Sequence, residues 1–350
     1  MPINKPTRRE FIREFMQTAG GAVITSAAAS SSTAATPLLE KLELFRAGEG
    51  GYALYRIPGL VVTRRGSVLA WCEARKRPSS DWGTIDIQMR RSTDGGKTFD
   101  APRVIANVEG PKQKNPAALA QKLGTNDEVT YNNAVMIADK NGAVHFLFCL
   151  EYMRCFYARS DDDGRTFTKP VEITATFDQF RPEYNWKVLA TGPGHGIQLR
   201  NGRLLATVWL SDGTGGHAHR PSVNTTIYTD DHGQTWRRGE IIIPNTPDWV
   251  YPSEAVAVEL TDGRVLFNSR SESKAHRRLI AYSKDGATNW TKPVFHDELV
   301  EPVCLGSMIR LSEKPSRLLF VNPNNLTRAG GQETPGMGRD RKNVSVRLSS

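Results

Sequence analysis

The chain has 350 residues, of which 24% are charged and 39% hydrophobic, and it contains 30 glycines and 20 prolines. This length is enough to bury a large core, and many short apolar runs closed by turn residues argue against a mainly helical fold and favour an all-β one. The net charge of +9 comes from scattered basic residues without a nucleic-acid-binding motif, so it favours anionic small substrates and excludes nucleic acid as the expected partner.

An export signal is predicted at the N-terminus. Residues 7–12 read TRREFI, a twin-arginine signature, and a weakly apolar run over residues 15–29 ends in small residues suited to cleavage. A membrane anchor needs about 20 strongly apolar residues, whereas this run is shorter and rich in glycine, threonine and serine. We therefore expect residues 1–36 to direct twin-arginine export to the periplasm or beyond the cell, without a stable membrane anchor. The alternative is a basic, disordered tail. Residues 37–350 then form the folded domain.

Neither long helices nor a disulfide framework are expected in that domain. Two short helices are predicted, over residues 38–44 and 116–123, and strands over most of the rest. The four cysteines lie in apolar runs without CxxC spacing, so buried free thiols are favoured over disulfides or a zinc site. They are Cys72, Cys149, Cys155 and Cys304.

The stretch over residues 55–86 carries charges inside an apolar pattern. Two strand-like runs flank a turn at residues 64–66, and Arg56, Arg75 and Asp81 stand out from them. A hairpin would turn these side chains toward one pocket. Two guanidiniums and one carboxyl suit an enzyme that grips an anionic substrate and protonates a group beside it. The alternative is a pair of salt-bridged surface arginines.

A turn motif recurs four times along the chain. It reads STDGGKTF at residues 92–99, SDDDGRTF at 160–167, TDDHGQTW at 229–236 and, in degenerate form, SKDGATNW at 283–290. In each copy the aspartate caps backbone amides, the glycine accepts a strained conformation and the aromatic residue packs onto the sheet. The copies start 68, 69 and 54 residues apart, which suits one four-stranded sheet per repeat. These turns match the Asp-box of β-propellers and are structural. A calcium loop is the alternative, but the closing glutamate of an EF-hand is missing.

The C-terminal residues 341–349, RKNVSVRLS, predict another strand that leads into a serine 66 residues after Ser283, where a fifth copy should begin. A propeller closes by joining its last sheet to its first. We therefore expect the last blade to be incomplete in this chain. Its unpaired sheet edge should make the 350-residue product weakly stable or prone to aggregation.

Together these motifs resemble the sialidases (neuraminidases), in particular bacterial exo-α-sialidases with Asp-boxes, from about residue 42 to the C-terminus. The resemblance implies an all-β, six-bladed β-propeller that removes terminal sialic acid from glycans without a cofactor or metal. Sialylated glycans or glycoconjugates are then the expected partners.

The resemblance also implies roles for individual residues. The sialic acid carboxylate would be bound by three arginines, Arg56, Arg270 and Arg341. Arg75 would line the pocket and Asp81 would be the acid/base. Glu254, in the sequence YPSE, would activate the nucleophile. Arg339 is a rival to Arg341 for the third carboxylate-binding position.

The chemistry of sialic acid explains these residue types. Its carboxylate lies on the reacting carbon and would repel a carboxylate nucleophile, whereas a neutral tyrosine made more nucleophilic by Glu254 avoids this repulsion. Asp81 would protonate the leaving oxygen and later activate water. Trp82 beside it would either exclude solvent and raise the pKa of Asp81 or serve the packing of the turn, and the two alternatives are equally favoured. The implied tyrosine follows the third arginine, and no tyrosine follows Arg341 in this sequence.

Because that nucleophile is missing, a non-catalytic propeller that binds sialylated or other anionic glycans is the alternative function.

Two weaker signals lie elsewhere. The glycine-rich residues 192–196 predict a tight loop whose His195 would line the site. His217 and His219 are predicted on one strand face without a third metal ligand, so a metal site is disfavoured. Core packing is favoured for Cys149 and Cys155.

Overall fold

Short apolar runs separated by turns form 21 strands in the part of the chain that the computed structural model describes, residues 40–78, 80–328 and 338–349. The strands form five sheets, in which paired strands are antiparallel apart from one short parallel pair. The first sheet contains β1 (Leu54–Val62), β2 (Val68–Arg75), β3 (Ile85–Ser92) and β4 (Arg103–Val104). The second contains β5 (Tyr131–Ala138), β6 (Val144–Leu150), β7 (Arg154–Ser160) and β8 (Val171–Glu172).

The third sheet is built on β12 (Leu204–Ser211) and β13 (Ser222–Thr229), flanked by β9 (Val188–Thr191), β11 (Ile197–Gln198) and β14 (Arg237–Arg238). Between β9 and β11, β10 (Gly194–His195) pairs in parallel with β5. The fourth sheet contains β15 (Ala255–Glu259), β16 (Val265–Ser269), β17 (Arg277–Ser283) and β18 (Val294–Val300). The fifth contains β19 (Ser307–Glu313), β20 (Ser316–Pro323) and β21 (Val344–Leu348).

Sheets that follow in sequence pack against one another. Strand β1 contacts β5, β5 contacts β9 and β11, β12 contacts β15, and β15 contacts β19, so successive sheets are neighbours in space. Each sheet is thus a blade of a β-propeller, and the predicted all-β propeller is confirmed. The described residues contain five blades, the fifth with three strands, whereas the six-bladed ring stays a prediction.

The core lies between the blades and fixes the shape of β1. The Trp71 ring is buried among residues of the first two sheets, such as Phe146. A side chain at Gly59 would meet this ring, because its Cβ would lie 2.2 Å from Trp71 Cζ2. The pairing of β1 with β2 shifts register between Arg56 and Gly59, and Ile57 within the shift has a φ of 56°. The glycine therefore admits the tryptophan where β1 bends after Arg56.

The four repeated turns join the third and fourth strands of the first four sheets, as predicted. In the second copy, Asp162 accepts hydrogen bonds from the Thr166 amide at 2.9 Å and from the Thr166 hydroxyl at 2.6 Å. The next residue, Asp163, has a φ of 66° and reaches the first sheet, where it accepts from the Ser67 hydroxyl at 2.5 Å and from Arg91 Nη2 at 2.6 Å. The turn therefore closes its own hairpin and links two blades.

Replacing Asp162 with alanine should lower the free energy of unfolding by about 1–3 kcal/mol, because several hydrogen bonds to one carboxylate are lost. The neighbouring Asp161 is the matched control, since it is exposed and makes only a surface ion pair with Arg159. Its replacement should change stability by less than about 0.5 kcal/mol. Denaturant unfolding of both variants measures this difference. Equal losses would contradict the structural role of the turn.

The helix predictions were partly wrong. Residues 40–44 are not helical, and the Leu44 carbonyl accepts from Arg90 Nη1 of the first sheet at 2.8 Å. The second predicted helix forms as α1 (Pro116–Ala120) and ends early, since Lys122 has a φ of 57°. A further helix, α2 (Thr174–Asp178), is too short for a periodic signal. The export segment lies outside the described residues, and within them no helix is long and apolar enough to cross a membrane.

Apolar side chains remain exposed on the first and last sheets. Val344, Val346 and Leu348 alternate along β21 and are each more than half exposed. Leu60 and Val62 of β1 are also about half exposed. Alternate residues of a strand share one face, so each of these sheets presents an apolar face that no described residue covers.

Candidate active site

One cavity of about 580 Å³ is lined by residues of all five sheets and of their connecting loops. All six residues singled out in the sequence line it. They are Arg56, Arg75, Asp81, Glu254, Arg270 and Arg341. Four of the five intervals between successive members of this set are 16 residues or longer, so the propeller topology brings them together.

The β1–β2 hairpin supplies one wall of the cavity. Glu73 and Arg75 are two residues apart on β2 and therefore share a face, and Arg56 on β1 is paired with Glu73. The buried Arg75 guanidinium donates to Glu73 Oε2 at 2.5 Å and to Asp81 Oδ1 at 2.5 Å. Arg56 Nη1 lies 3.5 Å from the same Asp81 oxygen. The predicted convergence of two guanidiniums and one carboxyl is thus found, with Glu73 as an additional carboxyl beneath it.

The pKa of the Asp81 carboxyl is lowered. Burial acts to raise this pKa, but the charge and hydrogen bond of Arg75 and the charge of Arg56 contribute to an overall lowering. The expectation that Trp82 raises the pKa of Asp81 was wrong. The Trp82 ring is buried against Tyr152, with ring centroids 4.5 Å apart, and the two nearby arginines dominate the environment of the carboxyl. In the empty cavity Asp81 is therefore ionised at neutral pH.

The fourth sheet supplies Glu254 and Arg270. Ala255 is the first residue of β15 and pairs with Ser269, the last residue of β16. Glu254 and Arg270 are the next residues outward and continue this antiparallel pairing. The Arg270 amide donates to the Glu254 carbonyl at 2.9 Å, and Arg270 Nη1 donates to Glu254 Oε2. Burial acts to lower the pKa of Arg270, but the Glu254 and Glu301 carboxylates raise it overall. Arg270 is thus a charged donor held in place by its strand partner.

Arg341 and Arg339 differ in where they point. Arg341 lines the cavity, where its Nη2 donates to the Val303 carbonyl at 3.1 Å. Arg339 is buried, and its Nη2 lies 2.7 Å from His276 Nε2. It does not line the cavity. The geometry therefore favours Arg341 over its rival as a group that a ligand could reach.

The sequence of this chain is similar to those of proteins from one known family. The pattern of the family described as BNR repeat-like domain matches residues 68–350. A sialidase of Micromonospora viridifaciens is 30% identical over 302 residues, which are 82% of this chain and 44% of that protein. A sialidase of Bacteroides fragilis is 30% identical over 301 residues, which are 79% of this chain and 52% of that protein. The chain belongs to the sialidase family with BNR repeats.

A solved structure supports the same fold for this sialidase-family chain. The Hadza microbial sialidase superposes with a TM-score of 0.66 at 25% identity, covering 87% of this chain and 57% of that one. The chain spans about half the length of the first curated relatives, 44% and 52% of them.

The floor of the cavity in this sialidase-family chain is aromatic, which the sequence did not reveal. The Tyr152 ring packs against the rings of Trp82, His219 and Trp209, with centroids 4.5, 4.8 and 6.1 Å away. Burial, with the Glu73 and Asp81 charges, raises the pKa of Tyr152 well above its usual value. Burial lowers the pKa of His219 to about 3. Both side chains are therefore neutral at physiological pH and form an apolar floor.

His217 and His219 lie in the loop between β12 and β13, not on a strand face as predicted. Their ring centroids are 5.0 Å apart, and both rings line the cavity. Among the described residues, no three His, Cys, Asp or Glu side chains are placed to hold a metal ion.

A second ion pair in the cavity wall was missed. Arg220, at the end of the β12–β13 loop, donates from Nη2 to Glu272 Oε1 at 2.9 Å and lies over the Tyr251 ring at 5.7 Å. Burial raises the pKa of Glu272. The two partners are 52 residues apart, so no local motif connects them in the sequence.

Two weaker expectations can now be judged. His195 was expected to line the site but does not, because its Nε2 lies 3.2 Å from the Met308 carbonyl behind the wall. All four cysteines are free, and Cys72, Cys149 and Cys155 are buried as predicted. Cys304 is half-buried and lines the cavity.

Proposed function

We propose that this protein is an exo-α-sialidase, a glycoside hydrolase that releases terminal sialic acids from glycoconjugates with retention of configuration. The observation that carries the proposal is the convergence of Arg56, Arg270 and Arg341 on one cavity beside Asp81. A family of proteins named sialidases supports the same reaction class.

In this proposal the three arginines bind the carboxylate of the sugar. Each comes from a different sheet or its flanking loop, so they approach an anion from several directions. Guanidiniums bind carboxylates through short, charge-assisted hydrogen bonds with a fixed geometry, which orients the ring of the substrate. Arg75 completes the pocket and holds Asp81 at 2.5 Å.

Asp81 acts as the acid and later as the base. An acid must carry a proton, whereas the arginines lower the pKa of Asp81 in the empty cavity. A bound carboxylate would offset these positive charges and disfavour a second anion beside it, so substrate binding raises the pKa of Asp81. The substrate therefore promotes the protonation of the group that donates a proton to its leaving oxygen.

The nucleophile is proposed to be a tyrosine activated by Glu254 and carried by a sixth blade. Residues 342–350 contain no tyrosine. Tyr152 lines the cavity, but its raised pKa makes it a poor nucleophile. A sixth blade between the last and first sheets would cover the exposed Val344, Val346 and Leu60. Among the described residues, β1 and β21 are unpaired sheet edges, which supports the predicted weak stability of the 350-residue product. A cooperative melt at high temperature would contradict it.

The test is the release of free sugar from an α-sialoside by the protein that includes the proposed sixth blade, measured together with equilibrium binding of the same compound. Release of sialic acid with the α configuration is expected. Binding without release would contradict hydrolysis and favour the alternative of a glycan-binding propeller. No binding of the sialoside would overturn both. Export by the twin-arginine route remains a proposal that rests on residues 7–12.

A further inference from the structure

A fully buried ion pair lies behind the cavity wall. The side chains of Lys114 and Glu151 have no exposed surface, and Lys114 Nζ lies 3.0 Å from Glu151 Oε2. Besides this ion-pair contact, Nζ donates hydrogen bonds to the Trp82 carbonyl at 2.5 Å and to the Thr130 hydroxyl at 2.9 Å. Buried ion pairs are weak evidence for stability alone, so this one invites a functional explanation.

The first partner of the pair is the loop that carries Asp81. Lys114 holds the carbonyl of Trp82, the residue that follows Asp81. Thr130 accepts from Lys114 and donates its own hydroxyl to the Gly83 carbonyl at 2.7 Å. Two successive carbonyls of this loop are therefore fixed by one cluster of buried side chains.

The second partner is the turn between β6 and β7. Glu151 Oε1 accepts from the Thr130 amide at 2.6 Å, and the Glu151 amide donates to the Thr130 carbonyl at 2.8 Å. Glu151 has a φ of 58° and precedes Tyr152, whose ring packs on Trp82. The ion pair thus connects the segments that carry Asp81 and Tyr152, which both line the cavity.

Close packing leaves this cluster little freedom. A Cβ at Gly124 would lie 2.5 Å from the Trp82 carbonyl oxygen and 2.7 Å from Lys114 Cε. The Trp82 amide is held as well, by the Ser80 hydroxyl at 2.9 Å. The position of Asp81 relative to Arg75 therefore depends on Lys114 as much as on the ion pair that Asp81 makes itself.

We propose that Lys114 and Glu151 are positioning residues that hold the Asp81 loop in the geometry needed for proton transfer to the leaving group. This inference rests on the proposed function. Misplacing a catalytic group by about 1 Å can cost about 100-fold in rate, whereas binding through the arginines does not depend on this loop. The loss should therefore fall on the step that needs the acid.

Substrates with different leaving groups test whether the loss falls on the step that needs the acid. An alkyl sialoside needs protonation of its leaving oxygen, whereas a nitrophenyl sialoside departs as a stable phenolate with little help. In the K114M/E151Q variant, which leaves no unpaired buried charge, kcat for the alkyl sialoside should fall about 10- to 100-fold. For the nitrophenyl compound kcat should change less than about threefold, and KM for both should be retained. Equal losses for both compounds, or no loss for either, would overturn the proposal.

Thr130→Val is a milder variant in case the double variant does not fold, because it removes only the hydroxyl that joins Lys114 to Gly83. Its matched control is Thr226→Val. Thr226 is also fully buried and donates to a backbone carbonyl, that of Gly286 at 2.8 Å, but away from the cavity. Thr130→Val should show the leaving-group difference and Thr226→Val should not. The same difference in both variants would overturn the proposal.

A readout without turnover separates this inference from the proposed function. If the wild-type protein hydrolyses neither compound, the proposed function fails, and amide hydrogen exchange over residues 81–85 still tests the positioning role. Exchange there should accelerate at least about tenfold in Thr130→Val relative to Thr226→Val, because the loop loses a support. Unchanged protection would overturn the proposal.

Discussion

Replacing Arg341 with methionine is expected to weaken the binding of 2,3-unsaturated sialic acid about 10- to 100-fold, because a charge-assisted hydrogen bond to the ligand carboxylate contributes about 1.5–3 kcal/mol. Arg341 is exposed in the cavity and is not needed for the sheet, so the variant should fold. The carboxamide of the same ligand should lose less than about threefold, since it presents no anion. Calorimetric titration of both ligands against both proteins closes the thermodynamic cycle.

Arg347→Met is the matched control for this substitution. Arg347 lies on β21 and does not itself line the cavity. It donates to Oδ1 of the cavity-lining Asn322 at 3.3 Å and to Asn324 Oδ1 at 2.8 Å. Its variant should bind both ligands like the wild type. Equal losses of carboxylate and carboxamide binding in Arg341→Met would mean that Arg341 does not contact the carboxylate.

Asp81→Asn should reduce the turnover of an alkyl sialoside about 100- to 10,000-fold, the usual contribution of a positioned acid. The asparagine keeps the size of the side chain and loses only the transferable proton. The loss for a nitrophenyl sialoside should be much smaller. Asp86→Asn is the control, because Asp86 belongs to the same hairpin, accepts from the Tyr52 hydroxyl at 2.7 Å and does not line the cavity. A similar loss in both variants would remove the acid role from Asp81.

The pH dependence of the wild type gives a signed expectation. The profile of kcat/KM reports the free protein, in which the arginines lower the pKa of Asp81 from its ordinary value. The profile of kcat reports the complex, in which the bound carboxylate raises that pKa. Activity that needs protonated Asp81 is lost as pH rises through its pKa. The alkaline fall of kcat should therefore lie at higher pH than that of kcat/KM. The reverse order would contradict the electrostatic account.

The features of the fold that the sequence predicted are local ones. In each Asp-box the aspartate bonds a threonine four residues later or closer, as Asp94 does with the Thr98 amide at 3.0 Å. Such a turn is encoded in eight consecutive residues, and its recurrence along the chain predicted the blades of the propeller. The helix predicted over residues 38–44 shows the limit, because Leu44 is held by a hydrogen bond from Arg90, which is 46 residues away in the chain.

The same distinction applies to the site. Arg56, Arg75 and Asp81 belong to one hairpin region, and their convergence was predictable. The aromatic floor was not, because Trp82, Tyr152 and Trp209 come from three different sheets or their loops and each is also a plausible core residue. The Arg220–Glu272 pair and the buried Lys114–Glu151 pair join residues 52 and 37 positions apart. In the sequence, each of these residues is recognisable only as a charged residue in an apolar context, which does not predict its ion-pair partner.

The electrostatics of Asp81 could not be derived from sequence neighbours either. Trp82 follows it directly and suggested a raised pKa, yet the ring turns away toward Tyr152. Arg75, six residues before Asp81, dominates instead because the hairpin folds it back to 2.5 Å. Distance in space, and not adjacency in the chain, decides which neighbour sets the pKa.

The most direct test is a crystal structure of the protein with 2,3-unsaturated sialic acid bound. The account predicts the ligand in the cavity, with its carboxylate oxygens within about 3.2 Å of guanidinium nitrogens of Arg56, Arg270 and Arg341 and its glycosidic carbon facing Asp81. A ligand that binds elsewhere, or that directs its carboxylate to solvent or to Arg220 instead, would contradict it.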